Sequence, residues 1–207
     1  LLIFGRKPEM IESAMLRYVI LSHCSHGITG QSTLAVRMGA DTGATFLNAV
    51  IGGFTVGSGS FHQGALEQTM LEIVAARESG DPGQYVREKL AKKETVYGFG
   101  HRFFRRDPRA LLLMDLCDKH ECVRENITCV RTIEEVMSME KGIYMNIDAA
   151  GGAILLDLGF PVEIASLIIL IGRGPMLAAA YLERLRELKK DGIFFPRLIV
   201  HEEVDRD

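Results

Sequence analysis

Residues 61–78 read FHQGALEQTMLEIVAARE. Leu66, Met70, Ile73 and Val74 recur there at the three- and four-residue spacing of one helical face, and Ser79-Gly80-Asp81-Pro82-Gly83 ends the pattern. A helix over Phe61–Glu78 follows, and the same period extends outward in both directions. Upstream, Met10–Ser25 carries Ile11, Met15, Leu16, Val19 and Ile20. Ser32 and Thr33 are candidate caps for a helix through Met38. Thr42–Val56 also reads as a helix, rich in small residues (Gly43, Ala44, Ala49, Gly52, Gly53) that permit close helix–helix approach. Downstream, helices are expected at Tyr85–Lys92, at Pro108–His120 with proline in its first turn, and at Thr132–Met139. A last one spans Val162–Leu188, with a break at Gly172-Arg173-Gly174-Pro175 and an end at Lys189-Lys190-Asp191-Gly192. No segment sustains period-two alternation; Ile193–Val200 reads equally as a strand or an extended tail. The expected fold class is mainly α, with no internal repeat and no low-complexity linker.

The 207 residues suffice for one large domain or two small ones, and 47% hydrophobic content supports a packed core. A net charge of -3 argues against a general nucleic-acid binder. Cys24, Cys117, Cys122 and Cys129 form no C-x-x-C pair and match no zinc spacing, so free thiols in a reducing, cytoplasmic setting are expected. The start, Leu-Leu-Ile-Phe-Gly, lacks an initiator Met and is too short for a signal peptide, so the chain is expected to be part of something longer. The most apolar run, Ala149–Gly172, holds Asp157, Pro161 and Glu163. These argue against a membrane span and for two helices joined at Gly159-Phe160-Pro161.

Three stretches place acid–base residues beside glycines or helix ends. In Gly98-Phe99-Gly100-His101-Arg102 the glycines allow close backbone approach to a ligand. Lys92, Lys93, Arg102, Arg105, Arg106 and Arg109 make this the densest positive region of the chain. It suits a phosphate or polycarboxylate, or is simply a solvated basic loop. His62 follows Gly57-Ser58-Gly59-Ser60 at an expected helix start, where a neutral ring can donate a hydrogen bond, or where it caps or packs. Asp148 stands among small apolar residues; partial desolvation would raise its basicity, whereas the alternative is an N-cap. Arg173 ends an apolar stretch and needs a partner, either a ligand carboxylate or an internal acid. His23 and His26 are three apart with no completing metal ligand, and His120 and His201 read as surface residues.

Taken in order, these stretches resemble the citrate synthase superfamily, which includes citryl-CoA lyases. Ser25-His26 with Ser32-Thr33 and Arg37 resembles the family's His-then-Ser-Thr segment, and His62-Gln63-Gly64-Ala65-Leu66-Glu67 its His-Gly-Gly-Ala-Asn-Glu motif. Gly98-Phe99-Gly100-His101-Arg102 with Asp107-Pro108-Arg109 is the most specific match. Asn146-Ile147-Asp148 and Ile171-Gly172-Arg173 resemble the family's Asn-Val-Asp and Ile-Gly-Arg. The resemblance implies that Asp148 removes a methyl proton from acetyl-CoA, His62 donates to the thioester oxygen, and His101 polarises the oxaloacetate carbonyl. It implies that His26, Arg109 and Arg173 hold oxaloacetate carboxylates, and that Gly98, Phe99, Gly100 and Arg102 contact coenzyme A. A thioester α-proton is a weak acid, so its removal requires a placed base and a donor at the developing oxyanion.

The sequence also departs from the family pattern. Leu66 stands where the family has Asn, and the His101–Arg109 interval is one residue shorter. The His26–Ser32 interval is one residue longer than in short lyase-like relatives. Met176-Leu177 and Ala179-Ala180 replace Gly-Trp and Ala-His, and the late Arg-Pro is Phe195-Pro196-Arg197. The resemblance implies a two-lobed helical fold with its active site in the interlobe cleft. Residues 1–57 and 163–207 would form the larger, dimerising lobe, and residues 58–162 the smaller lobe on the coenzyme A side. The expected activity is condensation of acetyl-CoA with oxaloacetate to citrate through citryl-CoA, a tricarboxylic acid cycle reaction. The alternatives are a citryl-CoA lyase and an inactive module binding coenzyme A or dicarboxylates. Coenzyme A enters as acetyl-CoA substrate or leaves as product, with no tightly bound cofactor and no metal. A homodimer or higher homo-oligomer is expected, with the small-residue helix at 42–56 packing closely against a copy of itself, and without nucleic acid or membrane as partner.

Overall fold

The computed structural model describes residues 2–25, 27–59 and 64–191. Among them are nine α-helices, one short 3-10 turn and no strand. The helices are α1 (Met10–Ser22), α2 (Gln31–Asp41), α3 (Phe46–Gly57), α4 (Ala65–Glu78), α5 (Pro82–Ala91), α6 (Pro108–Lys119), α7 (Glu125–Lys141), α8 (Ile147–Asp157) and α9 (Ala165–Asp191). The mainly α expectation holds. The readings of Phe61–Gln63, Ile193–Val200, Phe195-Pro196-Arg197 and His201 fall outside the described residues.

Packing gathers the chain into two compact units, Leu1–Ser25 with Gly57–Arg173 and His26–Val56 with Gly174–Asp207. This partition differs from the lobes read from sequence at both ends of the chain. Met15 and Val19 of α1, with Ile168 and Ile169 of α9, lie in the core of the first unit.

In the first unit α8 is the central element. It packs against α1, α4, α6 and α7, and Ile147, Ala149, Ala150, Ala153, Ile154 and Leu155 are buried. A short helix that is apolar on all sides is stable only when surrounded. Its glycines set the spacing: a Cβ on Gly152 would stand 3.1 Å from Met70 Cγ of α4, and one on Gly151 2.9 Å from His23 Cε1 at the end of α1. An ion pair of half-buried Lys89 with buried Glu72, Nζ to carboxylate at 2.7 Å, joins α5 to α4.

The second unit has its own core of Val36, Ala40, Ala49, Leu177 and Tyr181. The small residues of α3 are used here inside the chain. A Cβ on Gly39 would stand 2.7 Å from Ala49 Cβ, and one on Gly53 would overlap Val36 Cγ2. Tyr181 donates its hydroxyl to the Ala44 carbonyl at 2.7 Å, and Arg37 pairs with Glu187 at 2.6 Å.

Several helix boundaries differ from the sequence reading, each for a local reason. α2 is capped by Gly30, and Ser32 and Thr33 are buried in its first turn. α3 begins at Phe46 rather than Thr42, after Gly43 at φ +75°. α5 begins at Pro82, because Asp81 caps it by accepting from Gln84 N. α7 runs well beyond Thr132–Met139, because Asp157 of α8 accepts from Asn126 N and Ile127 N at its start. α9 continues through Gly172-Arg173-Gly174-Pro175. Gly172 there serves contact rather than a break: a Cβ on it would lie 2.5 Å from the Ile20 carbonyl oxygen. Val162–Lys190 is long and apolar enough to cross a membrane by length and composition, yet it supplies Ile168, Ile169, Leu177 and Tyr181 to the two cores.

Candidate active site

The site in the first unit is built where the Gly98–His101 loop meets the start of α8. Gly100 N–H donates to the Tyr144 carbonyl at 2.8 Å, and Asn146 N–H donates to the Gly98 carbonyl at 2.9 Å. The Asn146 side chain does two things at once. Its Nδ2 donates to the Gly100 carbonyl, and its Oδ1 caps α8 by accepting from Asp148 N and Ala149 N. The capping role open to Asp148 is therefore filled by Asn146. The Asp148 side chain, 20% exposed, stands in the first turn of the helix.

Gly98 has φ +86°, and a Cβ there would stand 2.5 Å from Thr69 Cγ2 and 3.0 Å from Ala149 Cβ. Both conformation and space demand glycine. Gly98→Ala is expected to lower unfolding stability by about 1–3 kcal/mol or more, as read by denaturant titration. A variant with unchanged midpoint would mean that the loop relaxes freely.

His101 is held in one tautomer. Its Nδ1 accepts from Phe103 N–H and Phe104 N–H, both at 3.1 Å, so in the neutral ring the hydrogen sits on Nε2. Nε2 lies 3.4 Å from Arg109 Nη2, which is also a donor. Two donors this close suit one oxygen acceptor shared between them.

Arg109 is held by Asp107. Its Nε and Nη2 donate to the two carboxylate oxygens at 3.0 and 2.7 Å, and its backbone N–H adds a third bond at 3.0 Å. Asp107 also accepts from Ile147 N at 3.1 Å, which joins this loop to the start of α8. Burial of Asp107 works against its charge, but Arg109 outweighs it and leaves the carboxyl below its usual range. Arg173 is buried. Burial first, and the nearby positive charge of Arg109 second, push its pKa down to about 10, while Cys24 and Asp148 act the other way. Two guanidiniums close enough to repel make a place for an anion.

The structure thus brings together four of the residues singled out from sequence: His101, Arg109, Asp148 and Arg173. His26 and His62 lie outside the described residues. The backbone of Gly98 and Gly100 is bonded within the chain, while Arg102 is exposed. Sequence reasoning gave no role to Asp107, Asn146 or His23. The first two lay inside quoted motifs, where an Asx residue just before a helix is a recognisable capping signal. His23 carried no comparable signal.

The model of the family described as citrate synthase, C-terminal domain, matches residues 1–197. Citrate/2-methylcitrate synthase of Bacillus subtilis is 31% identical over 186 residues, covering 87% of this chain and 50% of that protein. Citrate synthase of Acidithiobacillus ferridurans is 31% identical over 218 residues, covering 98% and 54%. The structure of citryl-CoA lyase from Hydrogenobacter thermophilus aligns with a TM-score of 0.86 at 31% identity, covering 98% of this chain and 78% of that one. The chain spans about half the length of the curated relatives it matches. The family match extends over nearly the whole sequence, including every residue of the site described above, and the chain belongs to the citrate synthase family.

Proposed function

We propose that this chain makes or breaks the carbon–carbon bond of a citryl-CoA-type thioester, in the first instance by condensing acetyl-CoA with oxaloacetate. The observation that carries the reading is the pairing of a tautomer-fixed donor, His101 Nε2–H, with Arg109, in a site that also contains Arg173 and Asp148. Asp148 takes the methyl proton of the thioester. His62 donates to the thioester oxygen of the enolate that results. The enolate carbon attacks the oxaloacetate carbonyl, whose oxygen accepts from His101, and Arg109, Arg173 and His26 bind the carboxylates. Water then hydrolyses citryl-CoA to citrate and coenzyme A. Gly98, Phe99, Gly100 and Arg102 contact coenzyme A.

A second reading, citryl-CoA lyase, runs the same bond change in reverse. Asp148, as the carboxylic acid, then returns the proton to the departing enolate carbon. Its support is likeness, since the Hydrogenobacter thermophilus citryl-CoA lyase matches this chain at the same 31% identity as the two synthases. For the assembly we favour a homodimer through the second unit. Leu34 and Met38 of α2 and Leu47 and Ile51 of α3 are exposed there, each pair one helical turn apart. Four free cysteines, Cys117 and Cys129 among them buried, fit a reducing, cytoplasmic setting.

The test measures coenzyme A release from acetyl-CoA with and without oxaloacetate, beside cleavage of citryl-CoA. Release that depends on oxaloacetate supports the synthase. Cleavage without condensation supports the lyase. Silence in both, with thermal stabilisation by coenzyme A, overturns the enzyme reading in favour of a binding module. In an active chain, Arg109→Ala is expected to raise KM for the oxo acid about 10- to 100-fold, the value of a charge-assisted hydrogen bond. An unchanged KM would remove Arg109 from the carboxylate site.

A further inference from the structure

The buried residue that caps the end of α1 has no role in the chemistry above. His23 is 3% exposed. Its Nδ1 lies 2.8 Å from the Val19 carbonyl oxygen, which can only accept, so Nδ1 carries the hydrogen. Nε2 of the neutral ring therefore presents a lone pair. It lies 3.7 Å from Asp148 Oδ1 and has no hydrogen-bond partner among the described residues.

The place for this ring is built by two other helices. A Cβ on Gly151 of α8 would stand 2.9 Å from His23 Cε1 and 3.7 Å from Nε2. A Cβ on Gly172 of α9 would stand 3.5 Å from His23 Cβ and 2.5 Å from the Ile20 carbonyl oxygen. A larger side chain at Gly151 would displace the imidazole, and one at Gly172 would collide with the Ile20 carbonyl of the helix end that carries it. A buried acceptor left unmatched is unfavourable, so a ring held between the Val19 carbonyl and Gly151 and turned toward one carboxylate calls for a function.

We propose that His23 is the positioning residue of Asp148. This rests on the reading of Asp148 as the base. With the ring neutral, lone pair and carboxylate face each other with no hydrogen to share. The proton that Asp148 takes from the thioester supplies one. The new carboxyl O–H donates to His23 Nε2, the 3.7 Å gap closes to hydrogen-bond length, and the protonated carboxyl is held in place. In the cleavage direction the order reverses, and the carboxyl gives its proton up to the enolate carbon. Nδ1 keeps its hydrogen on Val19 throughout, and in condensation the proton leaves Asp148 for the citryl alkoxide or water before the next turnover.

The test is His23→Asn beside His23→Gln in the full chain. Asn can keep a donor toward Val19 but has nothing at the Nε2 position; Gln can place an amide oxygen there. His23→Asn is expected to lower kcat about 10- to 100-fold, as orienting partners do, with oxo-acid KM and Tm close to wild type. His23→Gln is expected to recover most of that loss. A wild-type kcat in His23→Asn overturns the proposal. A second measurement does not depend on turnover: nitrogen-15 NMR of the histidine rings in wild type and Asp148→Asn. His23 is expected as the Nδ1–H tautomer, with its Nε2 resonance moving when the carboxylate becomes an amide. A resonance that stays in place overturns the proposal. A wild-type chain silent in both assays overturns the enzyme reading, while the ring measurement still decides the contact.

Discussion

Asp148→Asn is expected to lower kcat about 10²- to 10⁴-fold while leaving substrate KM and the fold close to wild type. The amide keeps the shape of the carboxylate and cannot take a proton. The fold should tolerate it because α8 is capped by Asn146, whose Oδ1 serves the Asp148 and Ala149 N–H groups. What is lost is a negative charge in the first turn of a helix, about 0.3–1 kcal/mol, together with its attraction for Arg173. Steady-state rates on acetyl-CoA with oxaloacetate, and on citryl-CoA, read the catalytic part, and a thermal melt reads the rest. Turnover near wild type would remove Asp148 as the base, whatever the direction of the reaction.

Asp107→Asn is expected to be the most destabilising conservative change at the site, by about 2–4 kcal/mol. The carboxylate is fully buried and accepts from Arg109 through two side-chain nitrogens and a backbone N–H, and from Ile147 N. An amide keeps one acceptor oxygen and turns a donor toward a guanidinium that is itself a donor. The Arg109 side chain is 23% exposed, which places the loss below that of a wholly buried pair. The pH dependence gives a second readout. The folded carboxyl sits below its ordinary value of 3.8, so the charged form is favoured by folding. That contribution is complete above the unfolded value, declines as pH falls through 3.8, and is gone below the folded value. Wild type should therefore lose stability across this acid range more steeply than Asp107→Asn, as read by denaturant titrations at several pH values. Parallel pH profiles would mean that Asp107 holds no charge-dependent stability.

What was legible in advance follows the range of the interaction that decides it. The period of Leu66, Met70 and Ile73 is a property of neighbours on one helix, and α4 carries it: all three are buried. Pro108 behind Asp107 marked the start of α6, and Asp107 accepts from Arg109 N there as a local cap. The start of α7 was not legible, because its capping carboxylate, Asp157, lies about thirty residues away in sequence on another helix. Gly172 and Gly174 beside Pro175 read as a break, since the local cost of these residues in a helix is real. Contact of Gly172 with the Ile20 carbonyl gives that glycine a reason no local rule contains. The small residues of Thr42–Val56 pointed to close packing correctly in kind, but Ala49 and Gly53 meet Gly39 and Val36 of the same chain.

By itself the sequence determined the helical class, the family, and the order of motifs that carry Asp148, His101, Arg109 and Arg173, because periodicity and short motifs are encoded by residues near one another. Only the tertiary structure decided which groups answer to which. Asn146 rather than Asp148 caps α8, Asp107 and not a ligand alone holds Arg109, and His23 faces the carboxylate. These pairings depend on distances between segments far apart in the chain, and such distances are set by how buried helices and their glycines pack.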